Sequence, residues 1–190
     1  MDLAVSLRIQ ARANRLANYR LHAAMAPLPR NELHAPRSGF FPSLIATLNH
    51  IVAVDQYYVG ALLGEPVRAS HWDDFVPDDD LPPLAQRQRA SDERLMAFCD
   101  VIDSAGYQRV VEMPRSQGRI QRDAAAHVLA HLFMHQTHHR GQVHAMLSST
   151  SVAPPQLDEF LLPSEPHLRL AEMAALGWDE AAIYGSGSRR

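Results

Sequence analysis

His127-Val-Leu-Ala-His131-Leu-Phe-Met-His135-Gln-Thr-His138-His139-Arg140-Gly141-Gln142 places five of the chain's eleven histidines within 13 residues. Residues four apart share one face of an α-helix, one turn up the axis. His127, His131, His135 and His139 therefore form a ladder of imidazoles, with His138 beside it. An i, i+4 pair can aim two ring nitrogens at one ion, and imidazole is the commonest side-chain metal ligand. Only two rungs need serve, and one straight helix cannot surround an ion, so a further ligand must come from another helix. The spacing alone does not say which two rungs.

The rest of the chain predicts more helices of the same kind. No Gly or Pro occurs before Pro27, and Leu3, Leu7, Ile9, Leu16 and Leu21 recur at helical intervals, giving a first helix ended by Pro27 and Pro29. After a loop containing Pro36 and Gly39, a second helix is expected from about 41 to Gly64, with Pro42 in its first turn. Its stripe through Thr47, His50, Val54, Tyr57 and Ala61 carries one histidine, so His50 is the best candidate for the missing ligand. The proline-rich, acidic stretch 65–83 is predicted as a loop long enough to cover a site. A third helix is expected over 84–104, then two short strands or an irregular connection. Asp123 is expected to cap the helix that carries the ladder to about 149. Pro154-Pro155 breaks the chain, and a short segment at 156–162 and a helix over 166–176 precede a polar terminus. Four long helices with a tail predict an all-α helix bundle, a core that commonly houses metals between facing helices.

Composition narrows the function classes. At 190 residues the chain fits one domain, with a core of about 3–150 and a tail of 151–190. A formal charge of −3 offers no basic patch for nucleic acid or an anionic membrane surface, so neither partner is expected. The single cysteine, Cys99, excludes an intrachain disulfide and a cysteine-based zinc knuckle, and reads as a buried thiol of the third helix. No apolar run reaches membrane-spanning length, and four arginines interrupt the first 25 residues, so a cytoplasmic protein is expected. His135-Gln136-Thr137-His138-His139 has the HxxxH spacing, but Gln136 stands where a zincin peptidase needs its general-base glutamate. A zincin peptidase is therefore not expected. Three neutral imidazoles would leave coordination positions open to water or substrate, the catalytic rather than the closed structural pattern.

Three further segments join the histidine block in a family resemblance. Ala11-Arg-Ala-Asn-Arg-Leu-Ala-Asn18-Tyr-Arg-Leu21 is similar to the first-helix pattern of the DinB family, with Ala13 and Leu16 in place of its usual aromatic residues. Phe40-Phe-Pro-Ser-Leu-Ile-Ala-Thr-Leu-Asn-His50-Ile-Val-Ala-Val-Asp55 resembles its second-helix block, and His135 to Gln142 resembles its HxxxHRGQ block. Pro154-Pro-Gln-Leu-Asp-Glu-Phe160 is similar to a common tail. The resemblance implies a four-helix bundle of DinB/YfiT type with a short helical tail, often a homodimer. It implies a divalent metal ion, Zn or Ni first and Fe as a further candidate, held by His50, His135 and His139. His131 and His138 are then expected to support the site, with His127 solvated and His144 at the surface. An Arg140–Asp55 ion pair and a close helix contact at Gly141 are also expected. The wider group includes metal-dependent enzymes that act on small molecules with low-molecular-weight thiols, so a metal-dependent enzyme is the leading expectation, either a transferase that uses such a thiol or a hydrolase-like enzyme that activates water. The alternative is a non-catalytic bundle stapled by its metal, with a stress-response or dimerisation role.

Overall fold

The computed structural model describes residues 2–158 and 162–185. Glu159 and Phe160 of the tail block, and the polar terminus from Ser186 onward, lie outside them. The described chain is mostly helical: α1 (Leu3–Met25), α2 (Arg30–His34), α3 (Leu44–Leu63), α4 (His71–Asp74), α5 (Leu81–Val101) and α6 (Ser104–Gln108) precede a two-stranded sheet. Strands β1 (Val110–Pro114) and β2 (Ile120–Ala124) lead into α7 (Ala125–Leu147), and α8 (Leu170–Leu176) and α9 (Glu180–Tyr184) form the tail. No helix among the described residues is long and apolar enough to cross a membrane.

The helix ends follow local chemistry. The second long helix starts after Ser43, whose Oγ accepts from the Ala46 N–H at 3.3 Å, so Pro42 lies outside it. It stops where Gly64 takes φ +77°, a conformation that costs glycine no Cβ clash. The third long helix begins at Leu81, three residues before the expected start, because Pro82 and Pro83 occupy positions whose N–H groups need no partner. It ends at Val101, and Ser104 belongs instead to α6. Asp123 does not cap α7. It pairs with Val111 in an antiparallel hairpin, its Oδ2 accepts from Gln121, and Ala124 occupies the cap position. The loops on either side of α3 are less bare than expected, since each contains a short helix, α2 or α4.

Helices α1 and α3 both pack against α5 and α7, so the four long helices enclose a common core. That core is divided. One apolar cluster holds Leu7, Tyr57, Leu62, Leu95, Leu129 and Leu132; another holds Leu21, Met25, Leu44, Leu84, Val143 and Leu147. Along each helix the two sets are separated by buried polar residues: Asn14 and Asn18 on α1, Asp55 on α3, Gln88 and Asp92 on α5, Gln136 and Arg140 on α7. Asp92 Oδ1 accepts from Asn14 (2.8 Å), Asn18 (3.0 Å) and Gln88 (3.0 Å), and the Gln88 amide also donates to Asp55 Oδ2 at 2.6 Å. Arg140 Nη1 donates to the side-chain oxygens of Asn14 and Asn18. The layer is therefore tied across all four long helices by charge-assisted bonds.

The apolar clusters supply the drive to fold, and Leu129 is wholly buried in the first. Leu129→Ala is expected to destabilise the protein by about 2–5 kcal/mol through lost burial and the cavity left behind. Urea denaturation measures it, and a loss under about 1 kcal/mol would mean that the site collapses around the gap.

Candidate metal centre

His50 stands on α3, and His135 and His139 stand one turn apart on the facing α7. The three rings converge: their centroids are 5.0 Å (His50–His135), 4.6 Å (His50–His139) and 4.4 Å (His135–His139) apart. One ligand atom from each lies within 4.8 Å of the others, and the Nε2 atoms of His50 and His135 are 3.0 Å apart. Metal–nitrogen bonds of about 2.0–2.1 Å in a tetrahedron require nitrogens roughly 3.3 Å apart. Small rotations of these rings meet that requirement, so the cluster can hold a metal ion.

Neighbouring side chains set the rings. Gln142, one turn beyond His138, accepts from His139 Nδ1 at 2.8 Å, which leaves His139 Nε2 as the free lone pair. The Gln142 amide nitrogen in turn donates to His138 Nε2 at 3.1 Å. Phe41 lies over His50 at 4.3 Å between centroids and is 5.7 Å from His139, giving the cluster an apolar cover. Phe40 packs edge-on against Phe41 and is itself exposed.

Burial and crowding keep the imidazoles neutral. Desolvation, then the charge of His139, pushes His50 down to about 4. Desolvation and the surrounding histidines push His135 to about 3, and burial lowers His139 as well. Neutral rings bind metal without first losing a proton.

These shifts bear on stability. His22, His50 and His135 have folded values of about 4, 4 and 3 against 6.5 for a free ring, so the unfolded chain protonates first. Their stabilisation is complete above 6.5 and is lost as the pH falls towards those values. Asp55 and Asp92 act in the opposite sense. Burial pushes them up to about 7 and about 6 from 3.8, so their contribution is complete below 3.8 and is lost as the pH rises through 6 and 7. Three imidazoles outweigh two carboxyls, and the metal-free protein is expected to lose stability between pH 6 and 4. Denaturation midpoints across that range test this; a flat or rising profile towards pH 4 would sink it.

Of the other predicted residues, His138 stays beside His139, with ring centroids 4.8 Å apart, and the rest lie farther from the three rings. His127, His131 and His138 are exposed; His131 packs against Tyr58, with its centroid 6.3 Å from His135. His144 is half-buried rather than at the surface, and its Nε2 donates to the Pro155 carbonyl at 3.0 Å. Arg140 forms no ion pair with Asp55, because its guanidinium reaches α1 while Asp55 is engaged by Gln88. Gly141 makes no close helix contact; a Cβ there would meet nothing within 4 Å. In the acidic loop, Asp78 pairs with Arg87 at 2.8 Å. Cys99 is fully buried, as expected for a thiol of the third long helix. Sequence reasoning assigned no role to Phe41 or Gln142. The position of Gln142, three residues after a candidate ligand on the same helix, was the available signal.

The sequence model of the DinB family matches residues 7–168, most of the chain, including all three converging histidines. No curated protein matches it.

Proposed function

The chain belongs to the DinB family, and from that premise we propose that its long helices form a four-helix bundle holding a divalent metal ion on His50, His135 and His139. The observation that carries this reading is the convergence of three neutral imidazoles from two helices, with ligand atoms within 4.8 Å. All-nitrogen ligation suits Zn or Ni. Three protein ligands leave room for an exogenous one, and a bound ion of this class makes a water or thiol more acidic. In this reading the protein is a transferase that joins a small thiol to a small-molecule substrate. His50 and His135 hold the ion between α3 and α7, Gln142 fixes the tautomer of His139, and Phe41 shields one side from water.

A second reading has the same ion act only as a staple, favoured by the ligands' origin on two facing helices. The two are separated by the Co(II)-substituted protein, prepared without a polyhistidine tag. A small thiol such as 2-mercaptoethanol is expected to alter its visible spectrum if the fourth position is open. An unchanged spectrum with a strong metal-dependent rise in thermal stability would establish the staple. Absence of stoichiometric metal, with no stabilisation by Zn or Ni, would overturn both.

A further inference from the structure

The opposite side of α7 carries a second site. At about 100° per residue, Phe133, Thr137, Arg140, Gly141 and His144 fall on the helix face turned away from His135 and His139. They border a cavity of about 520 Å³ between α7 and α1, closed on one side by the chain at 156–158. That volume lies in the range of small-molecule sites. Its wall is largely apolar and made of small groups, Ala13 and Ala17 from α1 with Phe133 and Gly141 from α7. A Cβ added at Gly141 would meet nothing within 4 Å, so the space beside it is open.

Gln10, Thr137, His144, Gln156 and Asp158 are the outer polar groups of the wall, and the buried polar part is one guanidinium and one amide. Arg140 and Asn14 both line the cavity while being more than nine-tenths buried. Arg140 uses only Nη1, on Asn14 and Asn18; among the described residues its Nε and Nη2 have no partner. Its nearest carboxylates, Asp55 and Asp92, form no ion pair with it. Burial also pushes both acids towards their neutral forms, while Arg15 adds a further positive charge near Asp92. The one acid on the cavity wall, Asp158, accepts from the Gln156 amide.

We propose that this cavity binds a free amphipathic monocarboxylate, its carboxylate taken by the unused donors of Arg140 and its apolar body lying against Ala13, Ala17 and Phe133. A planar guanidinium presenting two adjacent donors suits a carboxylate better than a neutral acceptor. The site is separate from the metal centre and does not rest on the metal reading.

Calorimetric titration of the full-length protein with octanoate, and in parallel with 1-octanol, tests it. Octanoate is expected to bind at one site, about tenfold or more tighter than the alcohol, as a charge-assisted pair requires. Gly141→Leu fills the open space without touching the guanidinium, and leucine suits a helix better than glycine. This variant is expected to lose octanoate binding while keeping its unfolding midpoint and its metal content. No saturable octanoate binding, equal binding of acid and alcohol, or full binding by Gly141→Leu would each overturn the proposal.

Discussion

Alanine at His139 is expected to lower affinity for Zn(II) by more than about a hundredfold, beyond the 10–100-fold typical of losing an outer hydrogen-bond partner. His139 is the ligand candidate whose orientation is most completely specified, with Gln142 on Nδ1 and Phe41 and His50 against its ring. Its loss leaves His50 and His135, too few to dominate the coordination of one ion. Gln142→Ala removes only the orienting bond and is expected to fall within the 10–100-fold range. The pair gives a graded test, read by competition with a chromophoric chelator. Equal affinity of the His139→Ala and native proteins would remove His139 from the ligand set. Equal losses in the two variants would mean that Gln142 does more than orient the ring.

Much of this centre is legible in the sequence because helical periodicity reports the direction of side chains. His135 and His139, four apart, had to share a face, and His50 was the lone histidine on an otherwise apolar or mildly polar stripe. Periodicity does not report reach across a bundle. Arg140 and Asp55 look like partners in sequence, yet Arg140 extends to α1 and Asp55 to α5. The same limit hid the polar layer: Asn14, Asn18, Gln88 and Asp92 read as ordinary helix positions until four helices bring them to one level. Helix starts were misread where a residue had two roles open to it. Asp123 is a good cap by composition, but the alternation of buried Val111 and Met113 draws its segment into a hairpin.

The polar layer carries the other large expected effect, and its two carboxylates should respond with opposite signs. Asp92→Ala strips the acceptor shared by Asn14, Asn18 and Gln88, leaving three buried amides short of a partner. It also removes the nearest negative charge stabilising buried Arg140. Removing one member of a buried charged network costs about 3–5 kcal/mol, so a loss of that size is expected at pH 7. Asp55 differs. Burial and the Asp92 charge push it up to about 7, so near neutrality it is close to half-protonated, and an asparagine imitates its uncharged form. Asp55→Asn should therefore change stability little at pH 6 and raise it at pH 8, where the native side chain must be buried as an anion. The same substitution removes the opposing acid and should steepen the loss of stability on acidification. Urea denaturation of both variants at pH 6 and 8 decides the matter. A stabilising Asp92→Ala would mean that the layer is held by packing rather than by its charges. A destabilising Asp55→Asn at pH 8 would mean that Asp55 is ionised and favourably paired in the folded protein.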